Sequence, residues 1–107
     1  MSRFTDFLSE VKDGTKQIAV TQAKQFADAV IEDGQAFLGS LEDDLKTWTQ
    51  QLASGQLSPK DFAFLVRGKE DLAKMSALTE AGMAAIQIDS VRSALVALII
   101  TAAGKMV

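Results

Sequence analysis

The chain has 107 residues, of which 48% are hydrophobic and 23% charged, and its net charge is −3. This composition is typical of one folded domain and not of a disordered segment. The chain contains no cysteine and no histidine, which excludes disulfides, thiolate metal sites and nucleophiles activated by a histidine base. Residues 28–44 carry six acidic residues and no Lys or Arg, whereas nucleic-acid binding needs a clustered basic face. We therefore expect a protein that does not bind nucleic acid.

The pattern of the whole chain predicts an all-α fold. Pro59 is the one proline, so long helices are permitted on either side of it. Tyrosine is absent, and Val, Ile and Thr do not alternate with the period of two that a half-buried strand shows. We expect a single helical domain over residues 1–107, with helices near 3–18, 23–53, 59–86 and 88–105. The first two and the last two of these helices are either separate or continuous.

The first predicted helix carries an apolar stripe that includes Phe4, Phe7 and Val11. This stripe is rotated by about a quarter turn from the stripe of the following helix, given 100° per residue. One straight helix would not bring both stripes onto the same partner. We therefore expect Phe4, Phe7 and Val11 to contribute to an oligomer interface.

The second predicted helix, 23–53, has large apolar residues at intervals of eleven, such as Phe26, Phe37 and Trp48. The same segment can also be read as coiled-coil heptads, because any broad apolar stripe generates both periods. The stripe covers about 140° of the helix circumference, more than the roughly 100° of a core-facing helix. A stripe this wide favours a helical bundle over a two-stranded coiled coil. For Trp48, core packing is favoured over a role as an interface anchor.

A turn is predicted between the second and third helices. Gly55 suits the left-handed residue that ends a helix. Ser58 is a favourable N-cap, Pro59 suits the first helical position, and Asp61 lies three residues after the cap, close to a capping-box arrangement. The helices 23–53 and 59–86 have similar lengths, so this short turn predicts an antiparallel helical hairpin.

The last predicted helix, 88–105, is apolar on nearly all sides, and a helix of this kind must be buried on nearly all sides. A two-helix hairpin does not cover so much surface, so we expect a second copy of the chain to complete a helical bundle. The predicted interface residues on this helix are Leu95, Val96, Leu98, Ile99 and Ile100. A dimer or a higher homo-oligomer is expected.

Asp89 and Arg92 stand three residues apart inside this apolar helix. One interpretation is a polar pair that fixes the register of an interface. The other is an ordinary exposed pair on one helix, which contributes a few tenths of a kcal/mol.

No motif for a catalytic, cofactor or metal site is present in the sequence. Gly68-Lys69-Glu70 lacks the pattern of a phosphate-binding loop, and Glu42-Asp43-Asp44 lacks the spacing and glycine of a calcium loop. We therefore predict no cofactor, no metal and no catalysis.

The sequence thus predicts a small structural or interaction protein that self-associates through the apolar faces of its terminal helices. The alternative is a surface-active protein that coats a lipid or granule surface and is similar to phasins in general character, without a diagnostic motif. The acidic polar face disfavours this alternative, because helices that lie on anionic membranes usually carry Lys and Arg. The longest uncharged apolar run is about 12 residues, against the roughly 20 of a membrane span. A cytoplasmic protein without a transmembrane span is therefore expected.

Overall fold

The computed structural model describes residues 3–105, and all regular structure in that range is helical, which confirms the predicted all-α class. The helices are α1 (Arg3–Gln22), α2 (Ala27–Ser40), α3 (Glu42–Ser54), α4 (Pro59–Gly68), α5 (Ser76–Glu80) and α6 (Ala85–Gly104). Two 3₁₀ turns, Lys24–Phe26 and Glu70–Leu72, lie between them.

Helix α1 packs against both α2 and α6, and it runs antiparallel to each of them. Thr15 of α1 lies beside Gly34 of α2, as expected for two helices joined by the turn near residue 24. Gly14 lies beside Leu98 of α6, and the Lys105 ammonium donates a hydrogen bond to the Glu10 carboxylate. From one contact to the next, the residue number increases along α1 and decreases along α6, so the two helices are antiparallel.

Helix α6 is covered on its inner side by other parts of the same chain. It packs against α1, α4 and α5. Its buried side chains are Ile88, Val91, Leu95, Val96, Ile99, Ala102 and Ala103. The inner apolar side of this helix is therefore covered by contacts within one chain.

The helix predicted over 23–53 is interrupted. Helix α2 ends at Ser40, whose hydroxyl donates a hydrogen bond to the Phe37 carbonyl. Leu41 has a ψ of 1° and serves as the C-cap of α2 and the N-cap of α3. Leu41 is nevertheless fully buried, so the apolar stripe continues through the break. The spacing of apolar residues in the sequence does not reveal this interruption, because the same face of the segment remains buried before and after it.

The helix predicted over 59–86 is also interrupted, and the two long helices of the predicted hairpin are replaced by shorter ones. Helix α4 ends at Gly68, and α6 begins at Ala85. Between them lie a 3₁₀ turn, the five-residue α5 and two residues with positive φ, Met75 at 53° and Gly82 at 90°. The buried residues of this region are Ala73, Met75, Leu78 and Met83. Their spacing of two, three and five fits a segment that changes direction, and a continuous helix would repeat every three or four residues.

The turn between α3 and α4 is formed by local side-chain and backbone interactions. Gly55 has a φ of 81° at the end of α3. The Ser58 hydroxyl accepts a hydrogen bond of 3.1 Å from the Asp61 N–H, and Pro59 is the first residue of α4. Beyond the turn, Trp48 and Phe62 pack edge to face, with ring centroids 6.4 Å apart and an interplanar angle of 88°. This contact places the half-buried Trp48 against the core side of α4.

Candidate interaction surface

The residues predicted to form an oligomer interface lie largely inside one chain. Five of them are buried and three are half-buried. The buried residues are Phe7, Val11, Leu95, Val96 and Ile99, and the half-buried residues are Phe4, Leu98 and Ile100. The five buried side chains are already removed from water by the packing of α1 on α2 and α6 and of α6 on α4 and α5, so their burial does not require a second chain.

Close backbone approach accounts for much of this coverage. A Cβ atom built on Gly14 would lie 2.3 Å from Cδ1 of Leu98, and one built on Gly34 would lie 2.6 Å from Cγ2 of Thr15. Real Cβ atoms essentially never approach other atoms below 3.0 Å. The two glycines therefore let α1 and its neighbours come closer than residues with side chains would allow.

The outward side of α6 is different in character from its buried side. At 100° per residue, seven of its residues fall within an arc of about 100° that carries no charged side chain. They are Ile86, Ser90, Ser93, Ala97, Ile100, Thr101 and Gly104, and we call this surface the outer α6 face. All are exposed except the half-buried Ile100, and the exposed fraction of Ile86 is 80%. Asp89 is just outside the arc.

The total apolarity of α6 exceeds what the core covers. By length and composition alone, this 20-residue helix is apolar enough to cross a membrane, although the core helix of a soluble protein passes the same test. Within the most apolar 18-residue stretch of this helix, only 33% is buried in the fold. The remainder includes the outer α6 face, which is uncharged and faces solvent in the single chain.

A cleft of about 270 Å³ adjoins the outer α6 face on the side of α4. Arg67 and Glu70 line it from the α4 side, and Ser93, Val96, Ala97 and Ile100 line it from α6. Phe64 lies three residues before Arg67 and therefore next to it on the surface of α4. The Phe64 side chain is 76% exposed. The outer α6 face is thus extended by a shallow groove.

The Asp89–Arg92 pair forms one part of a larger contact. Arg92 Nη1 lies 2.5 Å from Asp89 Oδ1, and Arg92 Nε donates a 2.9 Å hydrogen bond to the Ala73 carbonyl. The Asp89 side chain is 71% exposed, whereas that of Arg92 is 24% exposed. Arg92 therefore holds the segment before α5 onto α6 within one chain.

Asp33 has a role that the sequence analysis did not foresee. It is 7% exposed, and its two oxygens accept hydrogen bonds of 3.0 Å from the Ala77 N–H and 2.8 Å from the Leu78 N–H. One signal was present in the sequence. On a helical wheel with Phe26 at 0°, Asp33 lies near 340° and Asp44 near 0°, both next to the apolar stripe, whereas the other acids of this segment lie between about 160° and 260°.

A second cleft, of about 390 Å³, lies between α2 and the segment that contains α5. Glu32, Asp33 and Glu80 contribute carboxylates to its lining, Lys74 contributes an ammonium group, and Phe37 and Met75 contribute apolar surface. Both oxygens of Asp33 are already engaged by backbone N–H groups. Within residues 3–105, no group of three or more His, Cys, Asp or Glu side chains is arranged to hold a metal ion.

No protein-family model matches the sequence, and neither the curated proteins nor the solved structures include one that is significantly similar to it.

Proposed function

We propose that this chain is a non-enzymatic interaction protein that associates with a second copy of itself through the outer α6 face. The observation that carries the proposal is the uncharged outward arc of α6, which remains in water after the inner side of the same helix has been buried. The absence of His and Cys supports a non-enzymatic role, because the chain has neither a thiol nucleophile nor an imidazole general base.

A second copy fits this face for a physical reason. The outer α6 face contains no charge, so two such faces can meet across a two-fold axis without placing like charges opposite each other. Ser90, Ser93 and Ala97 are small, which permits helix axes to approach to about 8–10 Å.

The size of the face predicts a reversible association. The 20 residues of α6 extend over about 30 Å, and a helix is about 10 Å wide. One face therefore offers on the order of 300–500 Å² per partner, even with the adjoining groove. Stable interfaces bury about 800 Å² per partner. We accordingly expect a dimer that dissociates at low protein concentration.

The test is absolute solution mass, measured by light scattering behind a sizing column over about a hundredfold range of concentration. The wild-type chain is expected to shift from one-chain mass to two-chain mass across the range. Ala97→Lys introduces a charge at the centre of the outer α6 face and should keep the chain monomeric. Ala36→Lys, on the exposed side of α2, is the matched control, and this variant should dimerise like the wild type.

The proposal is wrong if the wild type remains monomeric throughout, or if Ala97→Lys and Ala36→Lys show the same masses. Circular dichroism of both variants establishes that each is folded before the masses are compared.

Association with a lipid or granule surface is the second candidate. The length and apolarity of α6 favour it, whereas the acidic stretch of residues 28–44 disfavours contact with anionic lipid. Flotation with neutral vesicles at low salt distinguishes the two candidates. Under the lipid proposal, the chain floats with the vesicles and Ala97→Lys weakens flotation. Under the dimer proposal, the chain stays at the bottom of the gradient.

A further inference from the structure

The segment 73–84 differs in construction from the rest of the fold. It contains the five-residue α5 between two non-helical stretches. A helix this short is not stable by itself, since nucleation costs more than a few intrahelical hydrogen bonds return. Met75 has a positive φ of 53°, a conformation that is unfavourable for a residue with a side chain. The segment therefore depends on contacts with the remainder of the chain.

We infer that residues 73–84 form a strap that opens and closes on α2 as a unit, with the Asp33 carboxylate as its latch. Asp33 accepts both the Ala77 N–H and the Leu78 N–H, which are orphan donors in the first turn of α5. Hydrogen bonds to a charged acceptor are the stronger kind. One side chain from α2 thus provides the cap that α5 lacks in its own sequence, because the residue before it, Met75, makes no side-chain cap.

The two ends of the strap are anchored, which confines the motion to the part between them. At the first end, Arg92 Nε holds the Ala73 carbonyl at 2.9 Å. At the second end, the chain enters α6 at Ala85. Gly82 has a φ of 90° and is the turn that lets the strap fold back toward α6. The latch lies between these two anchors.

Opening the strap would expose an apolar surface that is separate from the outer α6 face. Met75 and Leu78 are 2% and 0% exposed in the closed strap, and Phe37 of α2 is 2% exposed. The cleft of about 390 Å³ already separates part of the strap from α2, and both Phe37 and Met75 line it. Release of Asp33 would extend this cleft into the surface beneath Leu78. Opening of the strap would therefore expose apolar side chains of both the strap and α2.

Hydrogen exchange of the full chain, followed by mass spectrometry at peptide resolution, tests the latch. Asp33→Asn keeps one acceptor oxygen but loses the charge and the second acceptor. Exchange of the amides of residues 77–83 should accelerate by about tenfold or more. The reason is that the substitution lowers the free energy of opening the strap but leaves the free energy of unfolding the core unchanged. The amides of α1 and of residues 92–104 should keep their wild-type rates. Asp28→Asn is the matched control: it removes an exposed carboxylate of α2 that does not line this cleft, so it should leave the exchange rates of the strap unchanged.

A second variant keeps the test decisive if Asp33→Asn fails to fold. A Cβ on Gly82 meets nothing within 4 Å, but its φ of 90° strains any residue with a side chain. Gly82→Ala should therefore accelerate exchange in the strap alone. Equal acceleration of the strap and α1 in the folded variants would show that they unfold together, and this result would overturn the inference. Unchanged strap rates would overturn it as well.

Discussion

Gly34 of α2 and Thr15 of α1 are in contact so close that no side chain can be added between them. A Cβ on Gly34 would lie 2.6 Å from Cγ2 of Thr15. Thr15 cannot yield easily, because it is 4% exposed, is branched at Cβ and donates its hydroxyl to the Val11 carbonyl at 2.8 Å. The close packing of α1 on α2 at this point therefore requires that residue 34 has no Cβ atom.

We expect Gly34→Ala to lower the free energy of unfolding by about 1–3 kcal/mol, the usual cost of overpacking a core, despite the higher helix propensity of alanine. Urea denaturation measures the loss. Thr15→Ser removes Cγ2, so the double variant should recover most of the stability that Gly34→Ala loses. Gly39→Ala lies on the same helix with nothing within 4 Å of the added Cβ, and it should not destabilise the fold. A loss with Gly39→Ala equal to that with Gly34→Ala would contradict this explanation.

Leu95 should behave as a core residue and not as an interface residue. It is 2% exposed within one chain, so Leu95→Ala should cost about 2–5 kcal/mol at every protein concentration. Ile86→Ala, at a position 80% exposed, should change the stability of the monomer by less than about 0.5 kcal/mol. Denaturation curves recorded at two concentrations, a hundredfold apart, make the comparison. A destabilisation by Leu95→Ala that grew with concentration would instead assign this side chain to the dimer.

The stabilisation from Arg92 should come mainly from its bond to the backbone. Asp89→Asn removes the exposed partner of the pair and should cost less than about 0.5 kcal/mol. Arg92→Met keeps much of the apolar stem but leaves the Ala73 carbonyl without this donor, and it should cost about 1–3 kcal/mol. Chemical denaturation of the two variants tests the difference. Equal losses would mean that the ion pair, and not the backbone contact, is the important interaction.

The turn before α4 should be sensitive to its cap. Ser58→Ala removes the acceptor of the Asp61 N–H, and we expect a loss of about 1 kcal/mol. The matched control is Ser54→Ala, because the exposed Ser54 hydroxyl donates only to the Gln51 carbonyl of its own helix. Thermal unfolding followed by circular dichroism should show a lower Tm for Ser58→Ala than for Ser54→Ala. Identical Tm values would rule out a stabilising role for the cap.

Local sequence chemistry is sufficient for the all-α class and for the elements of the α3–α4 turn. Ser58, Pro59 and Asp61 are neighbours in the chain, so their cap depends on no distant residue. Likewise, the 3.6-residue period of the apolar positions states which side of a segment must leave water.

Only the tertiary structure shows which element packs against each apolar side. The burial of Leu95 and Ile99 could have been supplied by a second chain or by α1, α4 and α5, and the periodicity is the same in both cases. In the sequence, Asp33 is also consistent with a solvated acid. The structure shows that two N–H groups of α5 donate hydrogen bonds to it. The breaks at Leu41 and Gly68 were hidden for a related reason, since burial continues on both sides of each. The helical pattern of apolar residues indicates which side of a segment is buried. Close contacts between residues distant in sequence, such as Gly34 and Thr15, determine which other segment buries it.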